Sequence, residues 1–290
     1  MTATNDSDPP APKRWPPTTF LRHEDELDTS MGTARIVTDA GPAYIKAMGG
    51  NWQGPHPLAC EWVATHLAKW FGLATFDCAI IEIDAELDEI PFFRGGKAAS
   101  GPAFVTRSAS GHTWGGSSDE LDCLVNPGDI GKLVVFDTWV SNCDRHPPDL
   151  TLRKPNFDNV FMEDVPNGNV GRLRLIAMDH SHCFSCGRDL DGRVAHIDRV
   201  KDERLYGLFP AFKPKVRQED VEAGIDRLRE LEQEVVSEIV ATIPDAWGVD
   251  SRAASALTEC ICRRADFVGG SILGRVARQC WPDQLFDNRH

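Results

Sequence analysis

Residues 139–150 read "WVSNCDRHPPDL", and the fold of the chain turns on what Asp144 does in that stretch. An Asp-Arg-His triplet behind an asparagine and ahead of two prolines is either a catalytic base with its supports or a polar, proline-stiffened loop at a helix end. The flanks separate the two. Upstream, "PGDIGKLVVFDTWVSN" (127–142) has proline and aspartate in its opening turn and Ile130, Leu133, Val134, Trp139 and Val140 as an apolar side, so it predicts a helix that delivers the chain to Asp144. Downstream, "NVFME" (159–163) and "RLRLIAMD" (172–179) predict two strands around the turn at 164–168. A hairpin of that register would bring Asn159, at the start of one strand, beside Asp179, at the end of the other. An amide oxygen next to a carboxylate suits the hard-oxygen preference of Mg²⁺, so these two are the candidate metal ligands.

Further toward the N-terminus, "TARIVTDAGPAYIKA" (33–47) predicts two short strands around a turn at 39–42, with Lys46 at the end of the second. "HPLACEWVATHLAKWFGL" (56–73) has helical spacing, Pro57 in its first turn and Gly72 after its end. Strands follow at 76–84 and 102–107, and then the Gly/Ser-rich run "SASGHTWGGSSDEL" reads as a connector. Beyond it helical patterns take over. Residues 218–243 read as one helix, and 250–281 as one or two, broken near Gly269-Gly270. The fold class is therefore α+β and bilobal, in a protein-kinase-like arrangement. A proline-rich leader (1–19), expected to be disordered, precedes a β-rich N-lobe (20–107), an interlobe linker (108–126), a mostly helical C-lobe (127–280) and a tail (281–290).

A chain of 290 residues with a formal net charge of −13 can bury a sizeable core and repels phosphate backbones and anionic lipid heads. Nucleic acid and membrane surfaces are poor partners on that ground. No run approaches the roughly 20 apolar residues of a membrane helix, and no export signal opens the chain, so a soluble, cytoplasmic protein is expected. Nine scattered cysteines, an odd number, argue for reduced thiols. The densest group, His180 to Cys186, holds a C-x-x-C without a second pair at zinc-finger spacing and reads as buried free cysteine rather than zinc. Cys260 and Cys262 read as core and rim residues of a helix.

Phosphoryl transfer asks for a lysine on the nucleotide phosphates, oxygen ligands for magnesium and an aspartate that orients and deprotonates the acceptor hydroxyl. The sequence offers these in order. Lys46 closes an "AYIK" run similar to the "VAIK" of protein kinases, and Glu61, in the next helix, is the acid that would hold its ammonium toward the phosphates. Ser30 and Gly32, in "LDTSMGTARI", belong to the turn whose N–H groups could face phosphate. Phe104 and Thr106 lie on the strand expected to reach the adenine pocket.

These stretches resemble the HipA-like kinases. The block "FDTWVSNCDRH... NFDNVFMED... LIAMDHSHCF" is the specific part of the resemblance, supported by "GPAYIKAMGG", "LACEWVATHLAKWFGL" and "IPDAW". The resemblance implies an ATP- and Mg²⁺-dependent kinase that phosphorylates a hydroxyl, most simply a Ser/Thr of a protein, with an antitoxin-like regulator as a further partner. It implies Asp144 as catalytic base, Arg145 and His146 as organisers of its loop, Asn142 as a brace, Asn159 and Asp179 as magnesium ligands, and Lys46 with Glu61 at the phosphates. One departure stands out. The family places its asparagine about five positions after the aspartate, where this chain has Asp149. Either about ten residues are inserted ahead of Asn159 or Asp149 replaces the asparagine. The strand immediately after Asn159 favours the insertion, with Asn156 and Asp158 as close rivals. A catalytically impaired module that binds nucleotide or a partner, and a small-molecule kinase, are the alternative functions.

Overall fold

The computed structural model describes residues 15–29, 31–50, 54–165 and 171–282. The chain divides into two compact units, residues up to 52 with 77–108, and residues 53–76 with 109 onward.

The first unit is an antiparallel sheet of β1 (Phe20–Leu27), β2 (Thr33–Thr38), β3 (Gly41–Lys46), β4 (Cys78–Ile83) and β5 (Gly101–Arg107), in the order β1-β2-β3-β5-β4. Alternation along the strands puts Ala34, Ile36, Ala43, Ile45, Ile81, Ala103 and Val105 into one apolar cluster. Lys46 pairs with Phe104 and Tyr44 with Thr106, so these four belong to the opposite face. The expected leader ends earlier than residue 19. Trp15 packs on the apolar cluster, and the Thr18 and Thr19 N–H groups donate to Asp39 Oδ1 at 2.9 and 3.1 Å. The rest of the leader, and the tail from 283, lie outside the described residues.

The second unit contains α1 (His56–Phe71), a three-stranded sheet of β6 (Gly111–Thr113), β7 (Val160–Asp164) and β8 (Leu173–Ala177), and the helices α2 (Ser118–Asp122), α3 (Asp129–Val140), α4 (Ile197–Val200), α5 (Gln218–Arg229), α6 (Gln233–Ala241) and α7 (Ser251–Cys280). Three readings change here. The sequence grouped α1 with the strands before 107, but its buried face, with Leu58, Val63, Leu67 and Phe71, packs with α3, α5 and α6. The Gly/Ser-rich stretch after 108 is not a plain connector: Gly111–Thr113 adds a strand to β7, and Trp114 is wholly buried. The single helix read over 218–243 is two, with the break at 230–232.

Gly269-Gly270 does not break α7, which runs 30 residues. Glycine inside a helix costs about 1 kcal/mol, and the buried stripe Leu257, Ile261, Ala265, Val268, Ile272 and Val276 outweighs it. Among the described residues no helix is long and apolar enough to cross a membrane.

α3 matters most for position. It is buried along nearly all its length and ends at Ser141, a left-handed cap with φ 52°. Its last carbonyls need partners, and α7 supplies one that the sequence hid. Arg264 is buried and donates from Nε to Trp139 O at 2.6 Å and from Nη2 to Thr138 O. Trp139 returns its indole N–H to Ile261 O at 2.9 Å. The end of α3, three residues before Asp144, is thereby pinned to the longest helix.

Candidate active site

Residues 141–146 turn sharply out of α3, and a buried charge network holds the turn. Asp137, in the last turn of α3, ion-pairs with Arg145, and both are fully buried. Asn142 donates from Nδ2 to Asp137 Oδ1 at 3.3 Å, while its Oδ1 accepts the Asp144 N–H at 3.1 Å. Burial pushes the Asp137 carboxyl up from its usual range, opposed by Arg145 and Asn142.

Arg145 does more than neutralise Asp137. Its Nε donates to Asn159 O at 3.0 Å and its Nη2 to Met178 O at 2.7 Å. β7 and β8 pair with Val160 opposite Ala177, so Asn159 and Met178 face each other at the open end of the hairpin. One guanidinium thus ties the aspartate loop to the start of β7 and to the residue before Asp179.

Asp144 has 19% of its side chain exposed. Its Oδ2 accepts from Asn159 Nδ2 at 2.8 Å and from Asn156 Nδ2 at 3.4 Å, and Asn156 Nδ2 also reaches Asn159 Oδ1 at 3.0 Å. Its Oδ1 accepts from Arg153 Nη1 at 2.6 Å. His182 Nδ1 lies 3.9 Å from Oδ2. The fifteen positions between Asp144 and Asn159 therefore do not separate them. The Asn156 N–H donates to Arg145 O at 2.9 Å and closes the intervening residues into a loop. Asp149 is turned to its own loop, accepting from the N–H and hydroxyl of Thr151 at 2.9 and 2.6 Å, and these bonds hold its carboxyl below the usual range. Asp158 donates its N–H to Asn156 Oδ1 at 3.2 Å.

Asp179 sits in the left-handed region, φ 54°, a conformation aspartate tolerates better than most residues. Its Oδ1 accepts from Ser181 Oγ at 2.7 Å. The next N–H, of His180, donates to Glu61 Oε1 at 3.0 Å. Glu61 is 3% exposed, so α1 contributes a buried carboxylate that fixes the turn after Asp179.

His146 is held by its backbone, whose carbonyl accepts the Gly207 N–H at 2.9 Å, and its ring meets Phe209 edge-on at 5.1 Å. Burial pushes its imidazole below the usual value, so the ring is neutral at physiological pH. Phe209 also stacks on Phe157 and meets Trp114. This aromatic group anchors both ends of the loop between Asp144 and Asn159.

In the first unit, Lys46 ends β3 and Phe104 and Thr106 lie on β5. Gly32 has φ 61°, and a Cβ there would come within 3.1 Å of the Phe92 ring, so packing and backbone both require glycine. Ser30 lies outside the described residues. Sequence reasoning missed Asp137, Arg153, Ser181 and Arg264. Asp137 stands one helical turn and a cap before Asn142 and could have been found as the buried acid that a fully buried Arg145 requires; Arg153 and Arg264 carry no local signal.

An antiparallel sheet followed by a helical unit, with an aspartate loop braced against an Asn/Asp hairpin, defines a kinase-type phosphotransferase. The HipA-like kinase family model matches residues 38–266, and the chain belongs to that family. The Helicobacter pylori proinflammatory kinase CtkA is similar in structure, with a TM-score of 0.56 over 91% of this chain and 98% of that one at 12% identity. HipA of Shewanella oneidensis MR-1, solved with HipB and its operator DNA, matches 89% of this chain and 68% of its own with a TM-score of 0.45 at 8% identity. No curated protein sequence matches the chain. The α+β kinase fold and the family expected from the sequence are thus borne out.

Proposed function

We propose that the chain is an ATP- and Mg²⁺-dependent kinase that phosphorylates a Ser/Thr hydroxyl of a protein, with Asp144 as the catalytic base. The observation that carries this reading is that the Arg145 guanidinium ties the loop bearing Asp144 to Asn159 O and to Met178 O, the residue before Asp179, while Asn159 Nδ2 donates to Asp144 Oδ2. Phosphoryl transfer needs little covalent chemistry from the protein and much positioning. Asp144 accepts hydrogen bonds on both carboxylate oxygens, which fixes its plane and leaves it a hydrogen-bond acceptor for an incoming hydroxyl.

Asn159 Oδ1 and the Asp179 carboxylate are hard oxygen donors, which fits Mg²⁺, an ion that takes one or two protein ligands and completes its shell with phosphate and water. Among the described residues no group of three His, Cys, Asp or Glu could hold a metal. Bound there, the ion would neutralise charge on the phosphates. Arg153 would bring a second positive charge to the transferring group. Lys46, with Glu61, is assigned to the nucleotide phosphates, Ser30 and Gly32 to the phosphate-facing turn, and Phe104 and Thr106 to the adenine side, on the strength of the family motif. The same resemblance supports an antitoxin-like protein as regulator.

Radiolabelled γ-phosphate transfer by the full chain, with Mg²⁺ and a protein acceptor mixture, tests the reading. Asp144→Asn and Asp179→Asn should each lower transfer by at least about 100-fold while leaving the far-ultraviolet spectrum unchanged. Undiminished transfer in either variant would refute the site; nucleotide binding without transfer by the unaltered chain would favour the impaired module.

A further inference from the structure

A cavity of about 480 Å³ opens beside the loop that follows Asp144, with His146, Pro147 and Pro148 as one wall. Four cations line it, in a chain whose net charge is −13. Arg204 is already committed to Asp202 through two hydrogen bonds of 2.8 Å. Lys213, Arg275 and Arg278 make no ion pair among the described residues, and Glu203 is the one carboxylate in the lining.

Arg275 is the decisive group. It is 7% exposed. Its Nη2 donates to Ser271 Oγ at 2.8 Å and its Nε to Ser271 O at 3.3 Å, whereas its Nη1 is buried without an acceptor. His146 Nε2 is also buried without a partner. Arg275 and His146 both line the cavity, and each carries a buried nitrogen without a protein partner, which costs free energy if nothing meets it. Burial lowers the Arg275 guanidinium, with Arg264 and Arg278 adding to the effect and Glu203 and Asp202 opposing it, and Lys213 adds to the lowering of His146.

We propose that this cavity is a binding site for a phosphate monoester, held by Arg275, Arg278 and Lys213. A dianion matches several cations better than a carboxylate does, and the guanidinium fork matches phosphate oxygens. Leu205, Leu208 and Pro210 on the remaining wall give apolar contact to the carbon body of the ligand, and the volume suits a ligand of small-molecule size. The site is separate from the nucleotide and magnesium assignments, and none of its three cations belongs to the catalytic set.

The ligand is either a phosphorylated side chain of a protein or a free organic phosphate, and calorimetry on the full chain separates them. The probes are phosphoserine, inorganic phosphate, and a phosphoserine peptide with its unphosphorylated twin. Saturable binding of phosphoserine is expected, weakened by about tenfold or more in Arg278→Glu and in Lys213→Glu, with affinity falling as salt rises. Tighter binding of the phosphopeptide than of phosphoserine identifies a protein segment as the source; equal affinity identifies a small organic phosphate. Arg275→Met should abolish binding, and if that variant fails to fold, the two surface variants carry the test. No saturable binding of any phosphorylated probe, or binding unchanged in both Arg278→Glu and Lys213→Glu, would overturn the proposal. Phosphoryl transfer is not part of the readout, so the outcome is independent of the proposed catalytic site.

Discussion

Replacing Arg145 by methionine is the sharpest test of how the aspartate loop is held. The change keeps much of the buried volume but leaves Asp137, fully buried, without its counter-ion. Breaking a buried pair from one side costs about 3–5 kcal/mol. The carbonyls of Asn159 and Met178 each lose a donor, adding about 1 kcal/mol apiece, so a loss of roughly 5 kcal/mol or more is expected. For a cooperative unit near 200 residues that is a fall in Tm of roughly 10–20 °C. Urea unfolding followed by tryptophan fluorescence reads it, since Trp139 lies in α3 two residues beyond Asp137.

The pH dependence gives a second handle on the same variant. Burial raises the Asp137 carboxyl, so folding favours the protonated acid. Its contribution to stability is complete below the unfolded carboxylate value of about 4 and is lost as pH rises toward the higher folded value. Arg145 opposes that loss, and removing it widens the window upward. The deficit of Arg145→Met should therefore be largest near pH 7 and shrink toward pH 5, and Asp137→Asn in the same chain should recover most of it. A deficit under about 2 kcal/mol, or one that does not change with pH, would refute the reasoning.

Gly207→Ala drives a Cβ into the Asp137 carboxylate at φ 72°, so it should destabilise by at least about 2 kcal/mol in urea unfolding and loosen His146, whose carbonyl accepts the Gly207 N–H. Arg153→Ala removes a charge-assisted bond to Asp144 from a side chain that is 36% exposed. Transfer rate should fall by about tenfold, the equivalent of about 1.4 kcal/mol, while Tm stays nearly constant. Cys186 is exposed, and interaction with Cys143 holds its thiol below the usual value, whereas the same interaction and burial push Cys143 up. Brief iodoacetamide treatment near pH 7 should therefore label Cys186 ahead of the other eight, as peptide mass mapping would show.

Elements with a strong period were legible and their ends mostly so. α1, α3, β2, β3, β7 and β8 begin and end within a few residues of where alternation, proline and glycine put them. The misreadings have one cause. Local propensity was followed where long-range packing decides: a glycine pair predicted to break α7 lies within a helix held by a buried stripe, and a Gly/Ser-rich run predicted to connect supplies Trp114 to an aromatic core. The grouping of α1 with the strands likewise followed chain order, whereas its apolar face is spent on α3, α5 and α6.

Within the site the same division holds, and it explains the loop after Asp144. Residue types and order suggested Asp144, Asn159 and Asp179, but two of the supports that bring them together are distant in sequence, Glu61 through the His180 N–H and Arg264 through the end of α3, and the nearby one, Asp137, acts only through the buried Arg145. A long loop is tolerated at such a point when its ends stay closed, because loop-closure entropy grows only slowly with length. Here the Asn156 N–H to Arg145 O bond closes it, and Phe157 on Phe209 anchors its exit. The loop exposes Leu150 and Leu152, yet it returns Arg153 and Asn156 to the Asp144 carboxylate. The segment between Asp144 and Asn159 thus supplies the hydrogen-bond shell of Asp144 while leaving Asn159 in reach. Pro147 and Pro148 at its start also face the basic cavity, so one short segment contributes to both the proposed catalytic loop and the proposed phosphate site.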